Sequence, residues 1–489
     1  MDTLNQSEGF KRGVIVGAVC MILSTPAAVF LIGEHSATMK MLIGSIGIAT
    51  SLFAIVACKW NRPVLGGIAI APSLLAGLLI LLWFAGLVVS VSSHKLAFLM
   101  GGLDLLYLVI LGLLSRKHGW GVFVAAPPLW VATHVILASL CFLYLSTPSS
   151  REACQEFEKQ PGASWYSSQT DPFFAADVHI FNEGNHIAAT SKIWHDGYLA
   201  PLFADHKEHK VVIMPISKGE PRAQSVATAQ LPWQKMPQFL LADSHGNLVS
   251  TLIDHHGQHA LGVIPNPTAE KPKFAEPAQL PEGILANGLV EHEGKWLAID
   301  VRKDILWLDP QTKQVVDRWV PPAYATEFGP EMMMDFELAD GQTLYLSTLG
   351  SRVFALNLAE KSGSNSQPFG GPGSSVDWVP EKKVLVGGDV LKYRIRLIKS
   401  EALSLITERD VGYPVRPVRT AAKLNMVLAG DYIDGGVYAY RLDSLEPIGG
   451  PIYVGGNIRR IAYHEDEEVF YTASKCGVFR IDPKTAFGP

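Results

Sequence analysis

The feature that most constrains this chain is a short strand that keeps returning. Val353–Asn357, Tyr393–Leu397, Val437–Tyr440 and Val478–Asp482 are versions of one apolar pattern. Their starts fall at 353, about 395, 437 and 478, a period of 41–42 residues, and Ile305–Asp309 is an earlier copy displaced by an insertion. A partner strand precedes each copy: Trp296–Ile299, Thr343–Leu346, Val384–Val386, Met426–Ala429 and Val469–Thr472. Small or polar residues join the pairs, as in Gly387-Gly388-Asp389 and Gly435-Gly436. A unit of this length cannot bury both faces of its strands alone, so copies must stack on one another.

Short strands repeating every 40–45 residues are the pattern of β-propeller blades. Counting back from the C-terminus gives five clear blades, with room for two divergent ones between 170 and 280, which predicts about seven. The periodicity resembles the broad WD40, NHL and YVTN class of propellers. The Gly-His and Trp-Asp marks of WD40 repeats are absent, so the resemblance is to the architecture and not to a subfamily.

The first 147 residues read differently. Five apolar segments, at about 13–33, 40–58, 66–92, 96–114 and 121–146, each have the length of a membrane-crossing helix. The expected organisation is therefore a transmembrane helical domain at 1–147, a linker at 148–170 and an all-β propeller at 171–489. Lys11, Arg12, Lys59, Arg62, Arg116 and Lys117 fall on one side of five crossings, against Lys40, Lys95 and Arg151 on the other. That bias predicts a cytoplasmic N-terminus and a periplasmic or extracellular propeller, in a multi-pass protein of the cytoplasmic membrane. Asp104 and His134 fall near mid-depth of adjacent segments, an intramembrane polar pair that either fixes helix packing or serves a proton or quinone site.

Cys154 lies just before the expected ring and Cys476 in its last blade, so a disulfide between them would staple the closure in an oxidising compartment. Ten of the fifteen histidines lie between His179 and His292. The spacings His206/His209 and His255/His259 resemble metal-ligand spacings, but they sit in turn-like sequence without a third ligand, so no metal is expected. Arg416 and Arg459 stand at matching points in neighbouring blades, where the innermost strand begins. With Arg419 and Arg460 they form a candidate patch for an anion or an acidic partner, the alternative being salt bridges to residues such as Asp410 and Asp466.

A net charge of −5 argues against nucleic acid as a partner. No G-x-S-x-G, H-E-x-x-H, P-loop or dinucleotide-binding glycine pattern is present. The only Asn-x-Thr sequence after Arg151 is blocked by Pro267, which leans away from a glycoprotein. Five helices followed by an extracytoplasmic propeller also resembles membrane-bound quinoprotein glucose dehydrogenases. That resemblance implies pyrroloquinoline quinone in the ring and electron transfer to ubiquinone. The family's tryptophan-docking repeat is matched once, by Leu308–Lys313 with Trp319, and without its glycine. The expected function is a non-catalytic scaffold or accessory subunit contacting the lipid bilayer and other membrane or periplasmic subunits, with no cofactor. The alternatives are a quinoprotein-like dehydrogenase with bound quinone, or a sensor or transporter using Asp104 and His134.

Overall fold

The second strand of each repeat is apolar along its whole length because both of its faces are covered. Lys295–Asp300, Thr343–Thr348 and Val469–Ser474 are buried at nearly every position, whereas the outer strands Val315–Trp319 and Ser404–Asp410 are largely exposed. A strand lying between neighbouring sheets shows an unbroken apolar run, and one at the rim does not. A computed structural model of the chain describes residues 11–12, 14–23, 37–60, 128–133, 148–191, 209–231, 235–254, 258–321, 333–350, 352–369, 373–390 and 392–488.

The described strands form seven antiparallel four-stranded sheets. Blade 1 is β2 (Ala175–Phe181), β3 (His186–Ser191), β4 (Lys210–Pro215) and β5 (Ala227–Gln230). Blade 2 is β6 (Lys235–Ala242), β7 (Leu248–Asp254), β8 (His259–Ile264) and β9 (Ala278–Gln279). Blade 3 is β10 (Ala286–His292), β11 (Lys295–Asp300), β12 (Ile305–Leu308) and β13 (Val315–Trp319). Blade 4 is β14 (Met333–Ala339), β15 (Thr343–Thr348), β16 (Val353–Asn357) and β17 (Ser362–Asn365). Blade 5 is β18 (Gly373–Val379), β19 (Val384–Asp389), β20 (Arg394–Lys399) and β21 (Ser404–Asp410). Blade 6 is β22 (Val415–Ala421), β23 (Met426–Asp431), β24 (Gly436–Arg441) and β25 (Pro447–Tyr453).

Blade 7 takes β26 (Arg460–His464), β27 (Val469–Ser474) and β28 (Gly477–Ile481) from the end of the chain. Its outer strand, β1 (Ala163–Trp165), comes from the stretch read as a linker and pairs with β28 as Ala163↔Ile481 and Trp165↔Phe479. The inner strands touch in a closed order, β2, β6, β10, β14, β18, β22, β26 and back to β2. The ring is complete, with seven blades.

Apolar side chains fill the interfaces between blades. Leu297, Ile299, Phe336, Leu344 and Phe354 pack blade 3 on blade 4, and Val386, Ile395, Val418 and Val427 pack blade 5 on blade 6. Each such side chain contributes roughly 1.5–3 kcal/mol on burial. The closure has further fastenings. Cys154, in the helix Arg151–Phe157, is bonded to Cys476 in the β27–β28 hairpin. Trp165 is buried, and its indole N–H donates to the Cys476 carbonyl at 2.7 Å. Gly162 adopts φ +73°, and a Cβ there would lie 2.5 Å from the Ala486 nitrogen, so only glycine lets β1 approach the C-terminal helix Pro483–Phe487.

The first half requires a correction. Helical residues are present within 14–23, Ala37–Lys59 and 128–133. Among the described residues no helix is long and apolar enough to cross a membrane, which overturns the expected five-helix transmembrane domain. The physical reason is that an apolar run reports only that a segment avoids water; a protein interior accepts it as readily as lipid does. The expected crossings at 66–92 and 96–114, and most of 121–146, lie outside the described residues, as do Asp104 and His134.

Candidate functional site

The inner strands carry a cluster of charge of both signs, and strand register explains where it lands. Asp177, Asp335 and Arg460 each pair with the residue one before the end of their blade's second strand, namely Thr190, Ser347 and Ala473. Two residues further along, His179, Glu337, Asp377 and Arg419 pair with Ala188, Tyr345, Val386 and Leu428. Strand side chains alternate faces, so positions two apart share the face toward the ring centre. Two adjacent charged levels result.

In the first level Arg460 of blade 7 hydrogen-bonds Asp335 of blade 4, and its Nε lies 3.8 Å from Asp177 of blade 1. In the second, Arg419 of blade 6 donates to Asp377 of blade 5 at 2.7 Å and to Glu337 of blade 4 at 3.3 Å. The aspartates also tie each blade to the next. Asp177 accepts the Leu240 N–H at 2.7 Å and Asp335 the Val376 N–H at 3.1 Å. Asp377 accepts both the N–H and the hydroxyl of Thr420 at 2.6 Å. The centre of the ring is thus a lock of charge-assisted bonds, each stronger than a neutral one.

Four carboxyls face two guanidiniums here, so the cluster holds protons at moderate pH. Burial pushes Asp177 up to about 6 despite Arg460. Burial pushes Glu337 up to about 7, with Asp377 and Asp335 adding to the rise and Arg419 opposing it. Burial, then the charges of Arg460 and Arg419, holds His179 down at about 4, so it is a neutral member. Because folded Glu337 keeps a proton that the unfolded chain releases near its ordinary value, its contribution to stability falls as pH rises through that window. Urea unfolding of wild type and Glu337→Gln at about pH 5 and about pH 8 measures this. The wild type is expected to lose on the order of 2 kcal/mol relative to the variant across that range.

The four arginines singled out in the sequence divide into two kinds. Arg419 and Arg460 are spent on the channel acids, and not on Asp410 or Asp466. Arg416 and Arg459 instead lie over the ring of Tyr432, their guanidinium carbons 5.7 and 5.1 Å from its centroid. Arg459 is also 5.6 Å from the centroid of the buried Phe174 ring. The channel acids Asp177, Asp335, Glu337 and Asp377 were not picked out from sequence. A signal existed, since Glu337, Asp377 and Arg419 occupy one position of consecutive repeats.

His206 and His255 lie outside the described residues. His209 precedes β4 and His259 opens β8, both buried and in different blades. Among the described residues no three His, Cys, Asp or Glu side chains converge as a metal site would require. The Leu308–Lys313 pattern is the β12–β13 turn, where Asp309 accepts the N–H groups of Gln311 and Thr312 at 3.0 and 2.7 Å.

No protein-family model matches the chain, and no curated protein does. Among solved structures, a chain of "Crystal Structure of Mitotic Checkpoint Complex" aligns at 12% identity with a TM-score of 0.48, covering 62% of this chain and 85% of that one. The closed ring of four-stranded sheets decides the architecture. The chain is a β-propeller repeat protein.

Proposed function

We propose that this propeller is a docking platform, an accessory subunit of a larger protein assembly that works outside the reducing cytoplasm. The observation that carries the reading is the division of polar groups between ring centre and rim. The titratable groups of the centre are committed to bonds between blades, so they hold the ring rigid. The surface left to act is the set of loops at the two ends of the blades. A rigid rim presents a partner with a preformed surface and avoids an ordering cost on binding. The Cys154–Cys476 bridge supports the compartment, because structural disulfides persist where thiols are not kept reduced.

Gentle purification of the native full-length chain, with size analysis and mass spectrometry of co-purifying chains, tests the proposal. Defined partners in fixed ratio are expected. A lone chain turning over a small substrate would replace the platform reading with an enzymatic one.

A further inference from the structure

Where blade 1 meets blade 2 at the outside of the ring, the surface is hollowed into a cavity of about 490 Å³. That is within the roughly 300–1,000 Å³ usual for small-molecule sites. One wall is β5, the strand at the outer edge of blade 1. The floor is apolar: Leu231 and Leu252 are buried there, and the partly exposed Phe274 packs against them. A Cβ at Gly262 would lie 2.8 Å from Leu252 and 2.9 Å from the Phe274 ring, so glycine at that position lets the two side chains meet. The second wall is the stretch Lys271–Pro277 of the β8–β9 connection, and it is pinned in place. Pro272 is buried, the Ala275 N–H donates to the Val263 carbonyl at 2.7 Å, and Lys313 donates to the Glu276 carbonyl. On this wall stand Lys271 and Lys273, both exposed and both lining the cavity. Among the described residues neither ammonium has an ion pair or a hydrogen bond, and no lining residue is acidic.

We propose that this cavity binds a small amphipathic organic anion, an apolar body carrying one acidic group, with the body on Leu231, Leu252 and Phe274 and the acid toward Lys271 and Lys273. The two ends of such a molecule match the two halves of the cavity. Covering the floor removes apolar surface from water, and the lysines supply positive charge that no lining acid cancels. An inorganic anion would leave the floor wet, and an uncharged apolar molecule would leave the lysines unmatched. The pinned wall holds the lysines beside the floor before anything binds, which reduces the ordering cost. The site goes beyond the platform reading and stands whether or not the rim docks a partner.

The test is calorimetric titration of the full chain with decanoate and with decanol, at about pH 7.5, where the carboxylate is ionised. Wild type is expected to bind decanoate saturably and about threefold to tenfold more tightly than decanol. Lys271→Glu with Lys273→Glu should weaken decanoate by about tenfold or more and change decanol by less than about twofold. Lys382→Glu with Lys423→Glu makes the same change of net charge at exposed positions away from the cavity, and should move decanoate by less than about twofold. Phe274→Ala should weaken both ligands by about fivefold or more; should that change disturb folding, the exposed lysine pair carries the test. No saturable binding of decanoate, equal affinity for decanoate and decanol, or unchanged decanoate binding by the Lys271/Lys273 variant would each overturn the proposal. Binding of a short peptide with adjacent Leu and Asp residues, with none of decanoate, would overturn it in favour of a protein-docking groove.

Discussion

Replacing Cys154 and Cys476 together by Ser is expected to lower the stability of the propeller by roughly 4–5 kcal/mol. The bridge joins residues 322 apart, so the chain it closes contains nearly the whole ring. Without it, the unfolded ensemble regains the freedom of that loop, and β1 is held to β28 by a three-residue ladder and the packing of Trp165. Blade 7 should then open before the rest. Hydrogen exchange of the variant is expected to show lost protection at 163–165 and 477–481 first, with blades 3 to 5 unchanged. Unaltered stability on reduction would mean that strand pairing alone closes the ring.

Arg460→Met is the second large effect. Arg460 is the cation that reaches across the ring, from blade 7 to Asp335 of blade 4 and beside Asp177 of blade 1. Its removal strands buried carboxylates, which typically costs about 3–5 kcal/mol. Without the Arg460 charge that opposes the effect of burial, Asp177 gains pKa in the folded state, so the folded protein takes up a proton that the unfolded chain does not hold. Stability therefore falls as pH rises from the ordinary carboxyl range to above 7, and the deficit should be largest at about pH 8 and much smaller at about pH 5. Equal deficits at both values would show that Arg460 acts by packing on Phe336, 5.5 Å from its guanidinium, and not by charge.

What could be read from sequence follows from the range over which each signal acts. The strands of blades 4 to 7 were legible because burial on both faces forces apolar runs at a constant period. The bridge was legible because closing a ring brings the two ends of the propeller segment together, and one cysteine lies at each. Blades 1 and 2 were legible only as space, since long insertions break the period and β9 has two residues, Ala278 and Gln279. The channel was not legible as a cluster: Arg460 and Asp335 are 125 residues apart, and nothing local marks which blade faces which. Charge of both signs occupies one repeat position, as in Glu337, Asp377 and Arg419, so a search for one conserved type of residue passes over it. The apolar first half misled because segment length and hydropathy were read as membrane crossings, whereas among the described residues no helix is long and apolar enough to make one.

The most direct measurement of the central claim is hydrogen exchange on the full chain, in its native assembly and after dissociation from it. The platform account predicts protection in the assembly confined to the loops of one end of the propeller, with the inner strands unchanged. Identical exchange in both states, or protection restricted to residues outside 146–489, would contradict it.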